Sequence, residues 1–271
     1  QDDERSQSYQ YWDGGIPGTL DYGYQKGDVS SEYLSKDWFL EGDKFRYKNY
    51  QFLNGFCEYD KYRNKEILDI GPGRGQETHN YINAGNKLTV LEFARQGCEL
   101  LSKRREIFNL DFNIFQGDAV SMPFENEKFD LVFSYGVLHH IPDIKKAIAE
   151  VERVTKIGGS VKLMLYHKGY FYYKTMFIKW YLLKGNFLKH SWEDYKKIAM
   201  EQRVGKCPVV YIYSMDQITS LFKNSNLKIK SYSNAEIIDG RLVNYGILPS
   251  WFINKYRDKL GAYCHLTLVK E

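Results

Sequence analysis

The chain has 271 residues, 43% of them hydrophobic and 27% charged, with a net charge of +4 and a pI near 8.6. That composition fits one large globular domain, or one domain with a substantial insertion. The charge is mild and its basic clusters are short (Lys103-Arg104-Arg105, Lys145-Lys146, Lys196-Lys197), which argues against a nucleic-acid partner; each reads as the solvated side of a helix. Cys57, Cys98, Cys207 and Cys264 lie far apart with no CxxC pair, so neither a zinc site nor a disulfide framework is expected. A cytoplasmic protein without a membrane partner is the expectation, since no apolar run nears the roughly 18 residues of a span and no signal-peptide pattern is present.

Residues Gln1 to Arg5 are polar and read as disordered. Tyr9 to Asp28 reads as a loop too rich in glycine for a regular helix, yet it carries Tyr9, Tyr11, Trp12, Tyr22 and Tyr24. Helical spacing covers Ser31 to Leu40 and again Phe45 to Phe56, where Tyr47, Tyr50, Leu53 and Phe56 form a stripe. Residues 1–60 are therefore expected to form a loop and helical cap ahead of a domain spanning 61–271.

Ile67 to Ile70 is a short apolar strand with one acidic residue, Asp69, and it stops at Gly71, Gly73 and Gly75. Helical periodicity follows from Glu77 to Ala84. A strand meeting a helix through a glycine turn sets backbone N–H groups and a positive dipole end at the carboxyl edge of a sheet, where nucleotide-like ligands bind. The alternation then continues: strand Lys87 to Leu91 closed by Glu92, helix Ala94 to Phe108, strand Phe112 to Gln116, strand Phe129 to Ser134. Helix Ile144 to Thr155, capped by Gly158-Gly159, leads to strand Ser160 to Tyr166. Helices of this length between strands predict an α/β fold: a doubly wound, mostly parallel sheet with helices on both faces. An aromatic, basic insertion of about residues 168–212 interrupts the rhythm. Helix Met215 to Phe222 and strand Leu227 to Ser231 resume it, a second insertion covers about 239–260, and Ala262 to Val269 is the last strand.

Polar groups fall at four strand ends: Asp69 with the glycines, Glu92, Asp118 after Gly117, and Ser134 with Tyr135. In a doubly wound sheet such ends converge on one crevice. A carboxylate about 20 residues past the glycine turn is placed to accept both ribose hydroxyls of a nucleoside. Asp118, one strand further out, can accept from an exocyclic amine. A nicotinamide-type GxGxxG is not met, because Gln76 follows Gly71, Gly73 and Gly75, and no (N/D)PPY run follows the fourth strand.

The runs ILDIGPGRG, VLEF, GDAVSMPF and FDLVFSYGVLHHIPD, with the Gly158-Gly159 turn, resemble successive motifs of the class I S-adenosylmethionine-dependent methyltransferases, over about residues 66 to 166. The resemblance implies a Rossmann-like seven-stranded sheet with an antiparallel final strand. It also implies that S-adenosyl-L-methionine is held by Asp69 and Gly71 to Gly75 at its methionine part. Glu92 would take the ribose, Asp118 and Ala119 the adenine, and Phe93 one adenine face. Ser134 and Tyr135 complete the expected cofactor set. The GVLHHIPD run resembles small-molecule methyltransferases more than nucleic-acid ones.

On that reading the partner is a small-molecule methyl acceptor such as a sugar, a phenol or a secondary metabolite, with O-methylation favoured. An RNA-modifying methyltransferase and a non-catalytic cofactor-binding module are the alternatives. A hydroxyl acceptor needs a base. His139 and His140 sit just past the fourth strand, and adjacent helical residues diverge by about 100°, so one at most faces the acceptor. His139 is the favoured base, with the Tyr166-His167 pair as the other candidate. The acceptor is expected to meet Tyr11, Trp12, Tyr22, Tyr166 and Tyr170, because tyrosine and tryptophan supply flat apolar area with a polar handle. The same aromatic segments could instead form a packing layer or a homodimer surface.

Overall fold

The computed structural model describes residues 2–13, 34–201, 207–235 and 261–271, with the single positions 251 and 255. Three helices come first: α1 (Asp2–Asp13), α2 (Lys36–Asn49) and α3 (Phe52–Cys57). The α/β part follows as β1 (Glu66–Ile70), α4 (Gln76–Asn83), β2 (Lys87–Glu92), α5 (Arg95–Phe108), β3 (Phe112–Gln116), β4 (Phe129–Tyr135), α6 (Ile144–Val154) and β5 (Thr155–Tyr166). Then come α7 (Tyr170–Thr175), α8 (Trp192–Glu201), α9 (Met215–Leu221), β6 (Leu227–Ala235) and β7 (Tyr263–Lys270).

All seven strands lie in one sheet of order β3-β2-β1-β4-β5-β7-β6. Strands β1 to β5 pair in parallel, for example Asp69 with Val90, whereas β7 runs antiparallel to both β5 and β6. The period-2 alternation of each central strand sorts its side chains between two cores. Leu68 and Ile70 join Ile148 and Val151 of α6 and Ile218 of α9 on one face. Ile67, Val90 and Phe133 meet Tyr81 of α4, Leu101 of α5 and Leu53 of α3 on the other. Helix α2 docks through Trp38 and Phe39 on Leu100 of α5.

Three features depart from the sequence expectations. Residues 2–13 form a helix, not a disordered tail running into a loop. Short isolated helices are marginal in water, and tertiary contacts decide: Asp13 Oδ1 accepts from the Gln96 backbone N–H at 2.8 Å, and Trp12 packs edge-on against His140 with ring centroids 5.0 Å apart. The stretch from Phe45 to Phe56 is not one helix. It breaks at Tyr50-Gln51, so Tyr47 lies on α2 and Leu53 and Phe56 on α3. Gly158-Gly159 does not cap α6, whose C-cap is Thr155; both glycines lie inside β5, where the register on β4 shifts between Phe129 and Leu131. The second insertion lies almost wholly outside the described residues.

Candidate functional site

The strand order reverses between β1 and β4, and the carboxyl ends of β1, β2, β3 and β4 bound a cavity of about 320 Å³ there. Gly71 carries the backbone into it with φ +63°, and a Cβ at this position would stand 2.5 Å from the Val137 side chain. Only glycine tolerates both the conformation and the contact.

Two carboxylates face this cavity almost fully buried. Asp69, 1% exposed, accepts from the Thr78 hydroxyl at 2.6 Å. Burial pushes its carboxyl up to about 7, with the Thr78 hydrogen bond pulling the other way. Glu92 ends β2 with Oε1 accepting from the Ala94 backbone N–H at 2.9 Å, beside the first turn of α5. A Cβ on Gly97 would come within 2.7 Å of the Glu92 side chain, so that glycine makes room for the carboxylate. Burial raises Glu92 to about 7 as well, opposed by the backbone N–H groups of Ala94 and Phe93. A carboxylate held dry by backbone donors suits hydroxyl donors from a ligand, as a ribose diol provides.

Asp118 also lines the cavity, and its two oxygens are already engaged. Oδ1 accepts from the Val120 N–H at 3.0 Å, and Oδ2 pairs with Arg5 Nε at 2.7 Å. Helix α1 thus lies over the third strand end. Arg5, Ser8 and Trp12, spaced by three and four residues, present one helical face to the cavity. Tyr9 meets Phe93 edge-on with centroids 5.4 Å apart.

The opposite end is set by Arg46 of α2 and Glu77 of α4, paired at 2.7 Å with both side chains largely buried. Burial works against the Arg46 charge, but Glu77 and Tyr135 more than offset it and the net shift is upward. The guanidinium also lies 5.2 Å from the Tyr135 ring centroid.

The expected cofactor residues Asp69, Gly71, Glu92, Phe93, Asp118, Ala119 and Tyr135 all line the cavity. Gly73 and Gly75 shape the turn without lining it, and Ser134 is turned inward, donating to the Ile70 carbonyl at 3.2 Å. Of the histidines, His140 lines the cavity, whereas His139 does not. The His139 ring is fully buried and stacks on Tyr166 at 3.7 Å, and burial lowers its pKa well below the ordinary value. The geometry thus brings His140, and not the favoured His139, to the cavity. His167 also stays outside the lining, with Nδ1 3.2 Å from the Gly261 carbonyl. His140 Nδ1 stands 2.8 Å from the Val209 carbonyl oxygen, which can only accept. That contact puts the ring proton on Nδ1 and makes Nε2 the basic nitrogen.

Tyr166 and Trp12 line the cavity as expected, and Tyr11 packs behind Trp12 at 5.0 Å. Tyr22 lies outside the described residues, as does the side chain of Tyr170. Sequence reasoning missed Arg5, Arg46, Glu77 and Tyr263. Glu77 carried a usable signal, an acidic residue in the first turn after the glycines; Arg46 carried none.

A sequence model of the methyltransferase domain matches residues 68–163. The demethylmenaquinone methyltransferase of Renibacterium salmoninarum is 28% identical over 165 residues, which is 60% of this chain and 62% of that protein. A phthiotriol/phenolphthiotriol dimycocerosates methyltransferase of Mycobacterium ulcerans is 39% identical over 97 residues, 35% of each chain. The chain thus spans from about a third to three-fifths of the length of these curated relatives. Among solved structures, geranyl diphosphate C-methyltransferase of Streptomyces coelicolor superposes with a TM-score of 0.64 at 13% identity, covering 99% of this chain and 98% of that one, which is likeness of fold. Residues 68–163 thus match a methyltransferase domain, and the quoted motifs, the sheet order with its antiparallel β7 and the site at the switch point make the chain similar to the class I S-adenosylmethionine-dependent methyltransferases.

Proposed function

We propose that this chain methylates a small organic acceptor at a hydroxyl group, using S-adenosylmethionine. The observation that carries the reading is the cavity at the switch point, with Asp69-Gly71, Glu92 and Asp118 at successive strand ends and an aromatic wall of Trp12, Tyr166 and Tyr263 beside His140. S-Adenosylmethionine, when bound, supplies an electrophilic methyl group. Glu92 would accept from the ribose hydroxyls and Asp118 from the adenine amine. Arg46 would hold the methionine carboxylate, and Gly71 lets the backbone approach. With the donor so fixed, the protein mainly aligns the acceptor for in-line displacement and excludes water.

His140 is the proposed base. His140 Nε2 would take the proton of the acceptor hydroxyl as the methyl group is transferred, and the Val209 carbonyl would stabilise the resulting imidazolium through Nδ1. The curated relatives are named for acting on demethylmenaquinone and on phthiotriol dimycocerosates, which supports a small-molecule acceptor. Calorimetry with S-adenosylhomocysteine tests the cofactor assignment, and absence of binding would sink it. A screen of phenols, sugars and hydroxylated metabolites with labelled cofactor tests the acceptor class; labelling of RNA alone, with steep salt dependence, would overturn it.

A further inference from the structure

The insertion after β5 does not cover the cavity: none of its described residues from 173 to 199 lines it. It builds a surface of its own. A π-helical run, Met176–Leu182, is followed by a turn at Gly185 and a short 3-10 turn, Asn186–Leu188. Tyr181 Oη donates to the His190 carbonyl at 3.0 Å and Asn186 Nδ2 to the Trp180 carbonyl at 2.7 Å, which fixes the hairpin. Behind it, Phe177 and Tyr181 pack on Trp192 with centroids 4.9 and 5.2 Å away.

That inner aromatic layer holds the outer side chains away from the protein. Ile178, Leu182, Leu183, Phe187 and Leu188 are all exposed, Leu183 and Leu188 by 79% and 78%. Contiguous apolar surface of this kind marks an interaction site. Its charge is one-sided: Lys168, Lys174, Lys179, Lys184 and Lys189 are all exposed, and no Asp or Glu occurs from 153 to 192. Lys184 Nζ lies 4.1 Å from the Trp180 ring centroid, pairing an interfacial aromatic with a cation.

We propose that the outer face of residues 176–189 docks on the surface of an anionic lipid bilayer. Exposed leucines interleaved with lysines, beside tryptophan and tyrosine, match the boundary between acyl chains and anionic headgroups. A second copy of the chain fits less well, because a two-fold interface sets a patch against itself and would bring these lysines together with no carboxylate from residues 153–192 between them. The expectation of no membrane partner rested on the lack of a spanning run and of a signal-peptide pattern; among the described residues no helix is long and apolar enough to cross a membrane, and docking requires none. The surface does not depend on the methyl-transfer reading.

The test is co-sedimentation of the full chain with vesicles of phosphatidylcholine alone and with about one-third phosphatidylglycerol. Binding to the anionic vesicles is expected, weaker by roughly tenfold or more on neutral ones and falling with salt. Leu183→Glu with Leu188→Glu should lose roughly tenfold or more of that binding while S-adenosylhomocysteine affinity and circular dichroism stay unchanged, as both residues are mostly solvated and outside the cavity. Lys179→Glu with Lys184→Glu should remove the salt-dependent part. Failure to bind either vesicle, or binding untouched by the leucine pair, overturns the proposal. So does a dimer in analytical ultracentrifugation that the leucine variant dissolves.

Discussion

Replacing Glu92 by glutamine isolates what the buried carboxylate costs the empty protein and what it contributes to the filled one. Its pKa rises from the ordinary 4.5 to about 7, with burial as the main cause. For an acid whose folded pKa is raised, the favourable contribution is present below the unfolded value and is lost as pH climbs through the folded one. The parent therefore loses stability between about pH 4.5 and pH 7, by on the order of 3 kcal/mol at about 1.4 kcal/mol per unit. Glutamine keeps the shape without the charge. Glu92→Gln should match the parent near pH 4.5 and melt roughly 5–10 °C higher near pH 8 in a thermal scan without ligand. Saturating S-adenosylhomocysteine should narrow that difference, because it stabilises the parent more than the variant. Loss of charge-assisted bonds to two hydroxyls weakens binding by roughly tenfold to a few hundredfold. A melting difference that stays constant from about pH 5 to about pH 8 would refute the burial argument. An unchanged affinity in calorimetry would refute the ribose assignment.

Three further substitutions probe other parts of the cavity. Arg46→Ala leaves Glu77 buried without its partner and should cost roughly 3–5 kcal/mol in denaturant unfolding; adding Glu77→Leu should restore most of that stability while cofactor affinity stays lowered. His140→Ala should lower turnover by about 10²–10⁴-fold with S-adenosylhomocysteine affinity within a few fold, whereas full turnover would remove His140 as base. Gly71→Ala meets Val137 at 2.5 Å and a φ of +63°, so it should cost roughly 1–3 kcal/mol of stability and weaken cofactor binding in the same calorimetric assay.

What was legible in the sequence follows from how local its cause is. β1 with its glycine turn, Glu92 and Asp118 could be read because a short apolar run and the residue ending it lie side by side in the chain. Helix α1 could not, since its contacts to Gln96, Asp118 and His140 cross from 83 to more than 120 positions. Arg46 looks like any exposed helical arginine until Glu77, 31 residues on, folds against it. Which of His139 and His140 reaches the cavity turns on about 120° of rotation within the 3-10 turn Leu138–His140, which sequence spacing narrows to one of two without saying which. Gly158-Gly159 misled because a helix stop and a bulged strand use glycine for the same positive φ, here +74° at Gly158.

Helix α1 has a thermodynamic consequence. At one end Arg5 holds Asp118, and two turns away Trp12 rests on His140, so a single helix spans the proposed nucleoside half and the proposed acceptor half of the cavity. A ligand that strengthens the seating of that helix at one end would spare a ligand at the other end part of the cost of ordering the helix. Coupling through the helix would then link the two affinities, with the nucleoside tightening the acceptor by the same factor as the acceptor tightens the nucleoside.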